Sequence, residues 1–147
     1  MPSQADRLEI RLAARGDLPR VLAIDARASD PDRRQRVTDA LARGECWLAE
    51  SDGEVLAYAV VNTCFYENPF VWLVIVAERF RRRGVGSALM RDTLDRFPDR
   101  KVFTSTNESN RASRAMMDSL GFERAGQIEQ LDEGDLELVY MRRPSPN

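Results

Sequence analysis

The stretch at residues 71–94, VWLVIVAERFRRRGVGSALMRDTL, limits most strongly what this chain can fold into. Its opening run is too apolar for a strand with one face in water, which predicts a strand buried on both faces. A turn with four arginines and two glycines follows, and then a helical pattern with one apolar face. A helix N-terminus presents N–H groups without intrahelical acceptors, and glycine lets an anion approach the backbone. The stretch therefore predicts a site for a phosphate-bearing anion.

Length and composition exclude several classes of protein. The 147 residues fit one domain, and a net charge of -2 argues against a nucleic-acid partner. The absence of histidine excludes Ser-His-Asp and Cys-His catalysis and the common zinc sites, so no metal is expected. No apolar run is long enough to span a membrane and the N-terminus lacks a signal-peptide core, so we expect a cytoplasmic protein with no membrane partner. Cys46 and Cys64 are expected to be buried thiols.

Hydrophobic periodicity predicts the element order β-α-α-β-β-β-α-β-α-β-β with an ordered core at about 8–142. Strands are predicted at 8–12, 45–50, 54–65, 70–76, 101–106, 122–130 and 136–142, and helices at 17–28, 30–43, 84–97 and 110–120. Asp52-Gly53 predicts a tight hairpin, and Asn68-Pro69 is expected to break the chain before the buried strand. In the last helix the pattern predicts a buried stripe and a separate polar face. The stripe is Ala112, Ala115, Met116, Ser119 and Leu120, and the polar face is Asn110, Ser113, Arg114 and Met117.

Two sequence motifs within this order of elements resemble the signatures of a known family. Arg81-Arg82-Arg83-Gly84-Val85-Gly86, between the fourth strand and third helix, resembles the Gln/Arg-x-x-Gly-x-Gly/Ala signature of the GNAT superfamily of acyl-CoA-dependent N-acetyltransferases. The segment 110–117, followed by Leu120-Gly121-Phe122, is similar to that family's second signature. A dinucleotide-binding fingerprint does not fit because position 89 is Leu, and the Gly-Lys-Ser/Thr of a P-loop is missing. The resemblance covers about 8–142 in element order and 70–122 at motif level.

The resemblance implies a fold and a cofactor. The fold is α/β (α+β), a single domain over 1–147 with a mixed, mostly antiparallel sheet of about seven strands, four flanking helices and splayed central strands. The co-substrate is acetyl-CoA, with its pantetheine along the strand backbone and Val74 N–H as an oxyanion donor. The implied cofactor-binding residues are Val74, Ile75, Val76, Arg81, Arg82, Arg83, Gly84, Val85, Gly86, Ser87, Asn110 and Ser113. Two plainer interpretations stay open, namely a solvated arginine run and a purely helix-capping Asn110.

The catalytic groups of the family do not carry over. The tyrosine that protonates the departing thiolate falls at Met117, and the carboxylates of two subgroups fall at Ser105 and near Phe70. A thiol is nevertheless a good leaving group, and proximity supplies much of the rate. The candidates for a base are Glu67 and Glu108, and those for an acid are Tyr66 and Tyr140, with exposed charge and core packing as the alternatives.

These residues predict an N-acetyltransferase that moves an acetyl group to a primary amine, a small molecule or a peptide terminus, by direct attack in a ternary complex. One alternative is a non-catalytic acyl-CoA-binding or regulatory protein with the same fold. A second alternative, a module for another phosphate ligand, is disfavoured by the second motif. The acidic turn at Asp132, Glu133 and Asp135 either attracts the cationic amine or is simply solvated. The resemblance also makes a homodimer one option.

Overall fold

The computed structural model describes residues 7–145 and has a mixed α/β fold, as predicted. Seven strands and four α-helices occur in that part of the chain. The strands are β1 (Glu9–Leu12), β2 (Cys46–Ser51), β3 (Glu54–Phe65), β4 (Asn68–Val76), β5 (Val102–Asn107), β6 (Glu123–Asp132) and β7 (Asp135–Arg142). The helices are α1 (Leu18–Ala23), α2 (Pro31–Arg43), α3 (Val85–Asp95) and α4 (Arg111–Ser119), with 3-10 turns at Arg15–Asp17 and Glu78–Phe80.

The strands are hydrogen-bonded in the order β1-β2-β3-β4-β5-β7-β6. The pairs β1–β2, β2–β3, β5–β7 and β6–β7 are antiparallel. β4 and β5 are parallel, with Phe70 opposite Phe103 and Val71 opposite Thr104. The mostly antiparallel sheet is therefore confirmed, whereas the splaying of the central strands stays a prediction.

Contacts divide the chain into two compact units. The first unit runs up to Val61 and includes Leu73–Thr93, and the second comprises Asn62–Trp72 and the chain from Leu94 onward. In the first unit, β2, β3 and α3 share a core cluster that includes Ala49, Leu56, Val85 and Leu89. In the second unit, Leu138 and Tyr140 of β7 and Met117 of α4 are buried. The single domain over 1–147 stays a prediction.

A charge network joins the N-terminal elements of the first unit. Arg11 on β1 donates to both carboxylate oxygens of Asp17 (2.9 and 3.0 Å) and, through Nε, to Glu50 on β2 (2.8 Å). Arg20 on α1 donates to the same Asp17 carboxylate (2.5 Å), as does the Ala14 backbone N–H (2.8 Å). These contacts hold the pKa of Asp17 well below its usual range, with the Arg11 hydrogen bonds as the main cause.

The first helix is shorter than predicted, because Asp25 leaves the helical path. The Asp25 carboxylate accepts from the Arg27 backbone N–H (2.9 Å) in a local turn, and from the buried Tyr58 hydroxyl (2.5 Å) and Arg33 (2.9 Å). A short polar side chain that bonds the backbone two residues ahead competes with helix continuation. α1 therefore ends at Ala23 rather than near residue 28.

Two other expectations about local structure are wrong. Asn68-Pro69 does not interrupt the chain, because Asn68 and Pro69 are the first two residues of β4, where the proline needs no ladder donor. Of the two cysteines, Cys46 is buried but Cys64 is exposed. The hairpin at Asp52-Gly53 is confirmed, since both residues have positive φ (52° and 77°) between β2 and β3.

Candidate cofactor and acyl-transfer site

The turn between β4 and α3 has the backbone shape that an anion-binding helix N-terminus needs. Gly84, directly before α3, has φ 79°, and a Cβ built there meets no atom within 4 Å. Ala88 N–H donates to Gly84 O (3.0 Å), so the N–H groups of Val85, Gly86 and Ser87 precede the first helical bond. An anion at this point can approach the backbone without meeting a side chain of residue 84.

The arginines of this turn are exposed, but three of them contact neighbouring groups. Arg81 Nε donates to Val76 O at the end of β4 (3.3 Å). The guanidinium groups of Arg79 and Arg83 lie 4.9 and 5.7 Å from the centroid of the Phe80 ring, and Arg79 also pairs with Glu54. Arg82 has positive φ (64°), which is uncommon outside glycine. Two of the four cationic side chains thus lie over the Phe80 ring, close in sequence to the helix terminus.

The second half of β4 is attached to the same helix. Val74, Ile75 and Val76 are half-buried, and Val74 and Val76 pack against the cluster that contains Val85 and Leu89. Ala77 N–H donates to Leu56 O of β3 (2.8 Å), which fixes the point where the chain leaves β4. The strand end, the arginine turn and α3 therefore form one structured part of the first unit.

The second motif forms a capped helix in the other unit. Asn110 Oδ1 accepts from the Ser113 N–H (3.1 Å), so Asn110 is the N-cap of α4. Arg114 donates through Nη1 to Glu108 O (3.0 Å), and its Nε is buried without a hydrogen-bond partner. The predicted division of α4 into faces is wrong. Met117 is buried with Leu120, whereas Ala112, Ala115 and Ser119 are exposed, because the larger side chains set the buried face.

Tyr66 and Glu67, the predicted acid and base, lie in the two-residue turn between β3 and β4. Both have positive φ (51° and 67°), and Tyr66 is 85% exposed. β4 begins after this turn, and Val74 is far along it: an extended strand rises about 3.3 Å per residue, which makes the separation roughly 20 Å. A general acid or base must lie within hydrogen-bond reach of the reacting group, directly or through one water. The length of β4 therefore argues against Tyr66 and Glu67 as catalytic groups, and both assignments stay predictions.

The other two candidates have different surroundings. Glu108 is exposed, and its backbone N–H donates to Leu136 O (2.8 Å). Tyr140 is 3% exposed in β7, opposite Thr104 of β5 and Arg124 of β6. Tyr140 therefore has the burial of a core residue.

Sequence reasoning missed Glu137. This half-buried carboxyl lies on β7, opposite Asn107, the last residue of β5. Burial raises its pKa, and the negative charges of Asp132 and Asp135 raise it further. Its position in the strand alternation was visible in the sequence, but the surrounding charges depend on strand register, which the sequence pattern does not specify.

Across residues 7–145, no helix combines the length and apolar character needed to cross a membrane. The same part of the chain contains no cluster of three or more Cys, Asp or Glu side chains suited to a metal ion.

Comparisons with known proteins identify the family. Residues 16–122 match the family model described as the acetyltransferase (GNAT) family. A GNAT-family acetyltransferase from Bacillus cereus ATCC 10987 is similar, with 31% sequence identity, a TM-score of 0.87 and coverage of 95% of this chain and 99% of that one. The chain belongs to the GNAT acetyltransferase family.

More distant structures share the fold. The ribosomal-protein-S18-alanine N-acetyltransferase of Escherichia coli aligns at TM-score 0.79 with 20% identity, over 95% of this chain and 96% of that one. A putative acetyltransferase from Salmonella typhimurium, solved with its cofactor acetyl-CoA, aligns at TM-score 0.74 with 20% identity, over 96% of each chain. Among curated proteins no relative matches significantly.

Proposed function

We propose that this protein is an acetyl-CoA-dependent N-acetyltransferase that acetylates a primary amine, either a small molecule or a peptide terminus. The family supports acetyl transfer, and a structural relative was solved with acetyl-CoA. The observation that carries the proposal is the backbone at Gly84. An open, positive-φ glycine stands before a helix whose first N–H groups have no intrahelical acceptor, beside a group of arginines.

The cofactor-binding assignments rest on this geometry. The N–H groups at Val85, Gly86 and Ser87 bind the pyrophosphate, with positive charge from Arg81, Arg82 and Arg83 nearby. The backbone of Ile75 and Val76 pairs with the pantetheine amides. Val76 O can accept a second hydrogen bond beside the one from Arg81, because a carbonyl oxygen has two lone pairs. Asn110 and Ser113 contribute from α4, where capping and ligand contact are compatible.

The chemical step needs little from the protein. When bound, acetyl-CoA supplies an activated thioester, and a neutral amine attacks it directly in a ternary complex. Val74 N–H donates to the oxygen on which negative charge develops. Met117 is buried and has no proton to give, so the thiolate leaves unassisted or takes a proton from water.

We propose Glu137 as a further candidate for the general base. A raised pKa makes a carboxylate a stronger base, and burial together with the charges of Asp132 and Asp135 raises the pKa of Glu137. Asp132 and Asp135 beside it also favour a cationic ammonium group, which is the resting form of a primary amine. Glu137 can take the ammonium proton directly or through a water molecule.

The experiment is a panel of amines, including amino acids, polyamines and short peptides, incubated with acetyl-CoA and assayed for release of the CoA thiol. We expect at least one amine to support turnover above the rate of acetyl-CoA hydrolysis. Tight acetyl-CoA binding without turnover on any amine would instead favour a non-catalytic acyl-CoA-binding protein. The observation that supports this second function is the buried Met117, which stands where the family has its tyrosine.

A further inference from the structure

Tyr140 is a buried tyrosine whose hydroxyl has no hydrogen-bond partner. Only 3% of the residue is exposed, and no hydrogen bond to its side chain occurs within residues 7–145. Its hydroxyl oxygen is nevertheless not among the fully enclosed polar atoms that lack a partner, so it borders an opening. The other buried tyrosine, Tyr58, donates to Asp25 (2.5 Å), as a tyrosine in a core usually does. The free hydroxyl of Tyr140 therefore needs another explanation.

The strand order of the second unit places α4 over Tyr140. β5 and β6 are both antiparallel to β7, so they are parallel to each other with β7 between them. A connection between parallel strands crosses one face of the sheet, and α4 is that connection. On β7, Leu138 and Tyr140 are buried whereas their neighbours Glu137 and Val139 are half-buried, so the covered face contains Tyr140. Tyr140 therefore points toward α4.

The last turn of α4 lies at the level of Tyr140. Phe122 N–H donates to Met117 O (3.0 Å) at the end of the helix. The next residue, Glu123, is opposite Met141 on β7, which directly follows Tyr140. Met117 is 3% exposed, so it occupies the buried face of this turn. Met117 and Tyr140 therefore face the same layer of the core, one from the helix and one from the strand.

We propose that Tyr140 donates the proton that the CoA sulfur takes as it leaves, a role that rests on the proposed function. The resemblance gives this role to a tyrosine at the position of Met117, and methionine has no proton to donate. Tyr140 offers the same phenol from the strand beneath the helix. Its hydroxyl gives a proton to the sulfur that receives the electron pair of the broken C–S bond, and water returns a proton to the phenolate. The departing sulfur then has a proton source within the protein in place of solvent.

The first test compares the binding of CoA with that of desulfo-CoA, which lacks the thiol, by calorimetry at about pH 9, where much of the thiol is ionised. Tyr140→Phe should weaken CoA binding about tenfold, because a hydrogen bond to a charged sulfur is lost, and should leave desulfo-CoA binding unchanged. Equal effects on both ligands, or no effect on either, would overturn the proposal. A wild type that binds neither ligand would contradict the proposed function as well.

The second test asks whether the Tyr140 hydroxyl has a structural role. Tyr140→Phe removes an unpaired group, so the thermal midpoint should be unchanged or higher. Tyr58→Phe is the matched control, which removes the hydrogen bond to Asp25 and should lower the thermal midpoint. A similar fall in both variants would show that the Tyr140 hydroxyl is already bonded within the fold, which would also overturn the proposal.

The third test moves the hydroxyl back to the helix. With the best amine of the panel, Tyr140→Phe should lower kcat about 100-fold. Met117→Tyr in the Tyr140→Phe background should recover about tenfold of this loss, because a proton donor is restored at the family's position. Met117→Phe in the same background adds the ring without the hydroxyl and should recover none. A kcat that Tyr140→Phe leaves unchanged, or equal recovery by the two changes at Met117, would refute the role.

Discussion

The pKa of Glu137 is shifted in the opposite direction to the pKa values of the other perturbed carboxyl groups. Asp17 and Glu50 have lowered pKa values because each accepts hydrogen bonds from Arg11. The pKa of Asp25 is lowered mainly by the hydrogen bond from the Tyr58 hydroxyl, and further by those from the Arg27 backbone and Arg33. Glu137 has a raised pKa because burial and two neighbouring carboxylates disfavour its ionised form. A carboxyl group with a raised pKa is a stronger base and is therefore suited to general base catalysis. The carboxylates bonded to arginine have lowered pKa values and stabilise the fold instead.

Glu137→Gln should therefore lower the acetylation rate by about 100-fold, within the usual contribution of a general base. In the wild type, kcat/KM should rise with pH as Glu137 loses its proton, and this rise should be absent in the variant. The measurement is the pH–rate profile with the best amine of the panel. Glu67→Gln is the matched control and should leave both rate and profile unchanged. If Glu67→Gln lowered the acetylation rate and Glu137→Gln did not, Glu67 in the β3–β4 turn would be the base instead.

The lowered pKa of Asp17 predicts how the stability of the protein depends on pH. Its folded-state pKa is below the unfolded value of about 3.8, so its contribution is fully present above that value and is lost as pH falls further. Asp17→Asn should cost about 2 kcal/mol of unfolding free energy at pH 7, since hydrogen bonds to a charged group are removed. Urea unfolding at pH 7 and below pH 4 measures the effect. The difference between variant and wild type should shrink at the lower pH, and a difference independent of pH would contradict this account.

Among the elements, the β3–β4 turn contains local backbone strain. A two-residue hairpin with positive φ at both central positions normally contains Asn or Gly, but here the residues are Tyr66 and Glu67. The neighbouring contacts hold this turn in place. Asn68 donates to Phe65 O (3.3 Å) and Tyr66 O (3.0 Å), and the Phe65 ring stacks on Phe70 at 4.9 Å.

Glu67→Gly should stabilise the protein by about 1 kcal/mol, because glycine adopts positive φ without the steric cost that other residues pay. Chemical denaturation measures the change. Thr63→Gly, an exposed position inside β3 with ordinary backbone angles, is the control and should destabilise by a similar amount. If Glu67→Gly destabilised as much as the control, the turn would not be strained.

The success of sequence prediction differs between elements for physical reasons. The hairpin at Asp52-Gly53 and the presence of a strand before the arginine turn were predictable, because turn chemistry and apolar patterning are local. The burial of that strand on both faces was predicted wrongly, since residues 72–76 are half-buried. The end of α1 was not predictable, because the local turn at Asp25 that competes with the helix also involves a hydrogen bond from Tyr58, a residue distant in sequence. The buried face of α4 was mispredicted because alanines fit either face, and the packing of Met117 decides between them.

For the whole molecule, the element order and the two motifs were sufficient to predict the family, which the comparisons confirm. The candidate site was only partly predictable. The proposed acetyl-CoA site could be predicted, because Gly84 and the arginines at 81–83 are neighbours along the chain. The proposed acceptor side rests on Glu137, Asp132 and Asp135, and their mutual charge effects depend on strand pairing that the sequence pattern does not specify.

The central claim is that the turn at Gly84 binds the pyrophosphate of acetyl-CoA, and calorimetric titration of acetyl-CoA tests it most directly. We predict measurable binding to the wild type and none to Gly84→Glu, which places a carboxylate at the anion. Gly53→Glu, at another open glycine with φ 77° in the same unit, controls for backbone strain and added charge and should bind normally. Wild-type affinity in a folded Gly84→Glu protein would contradict the account.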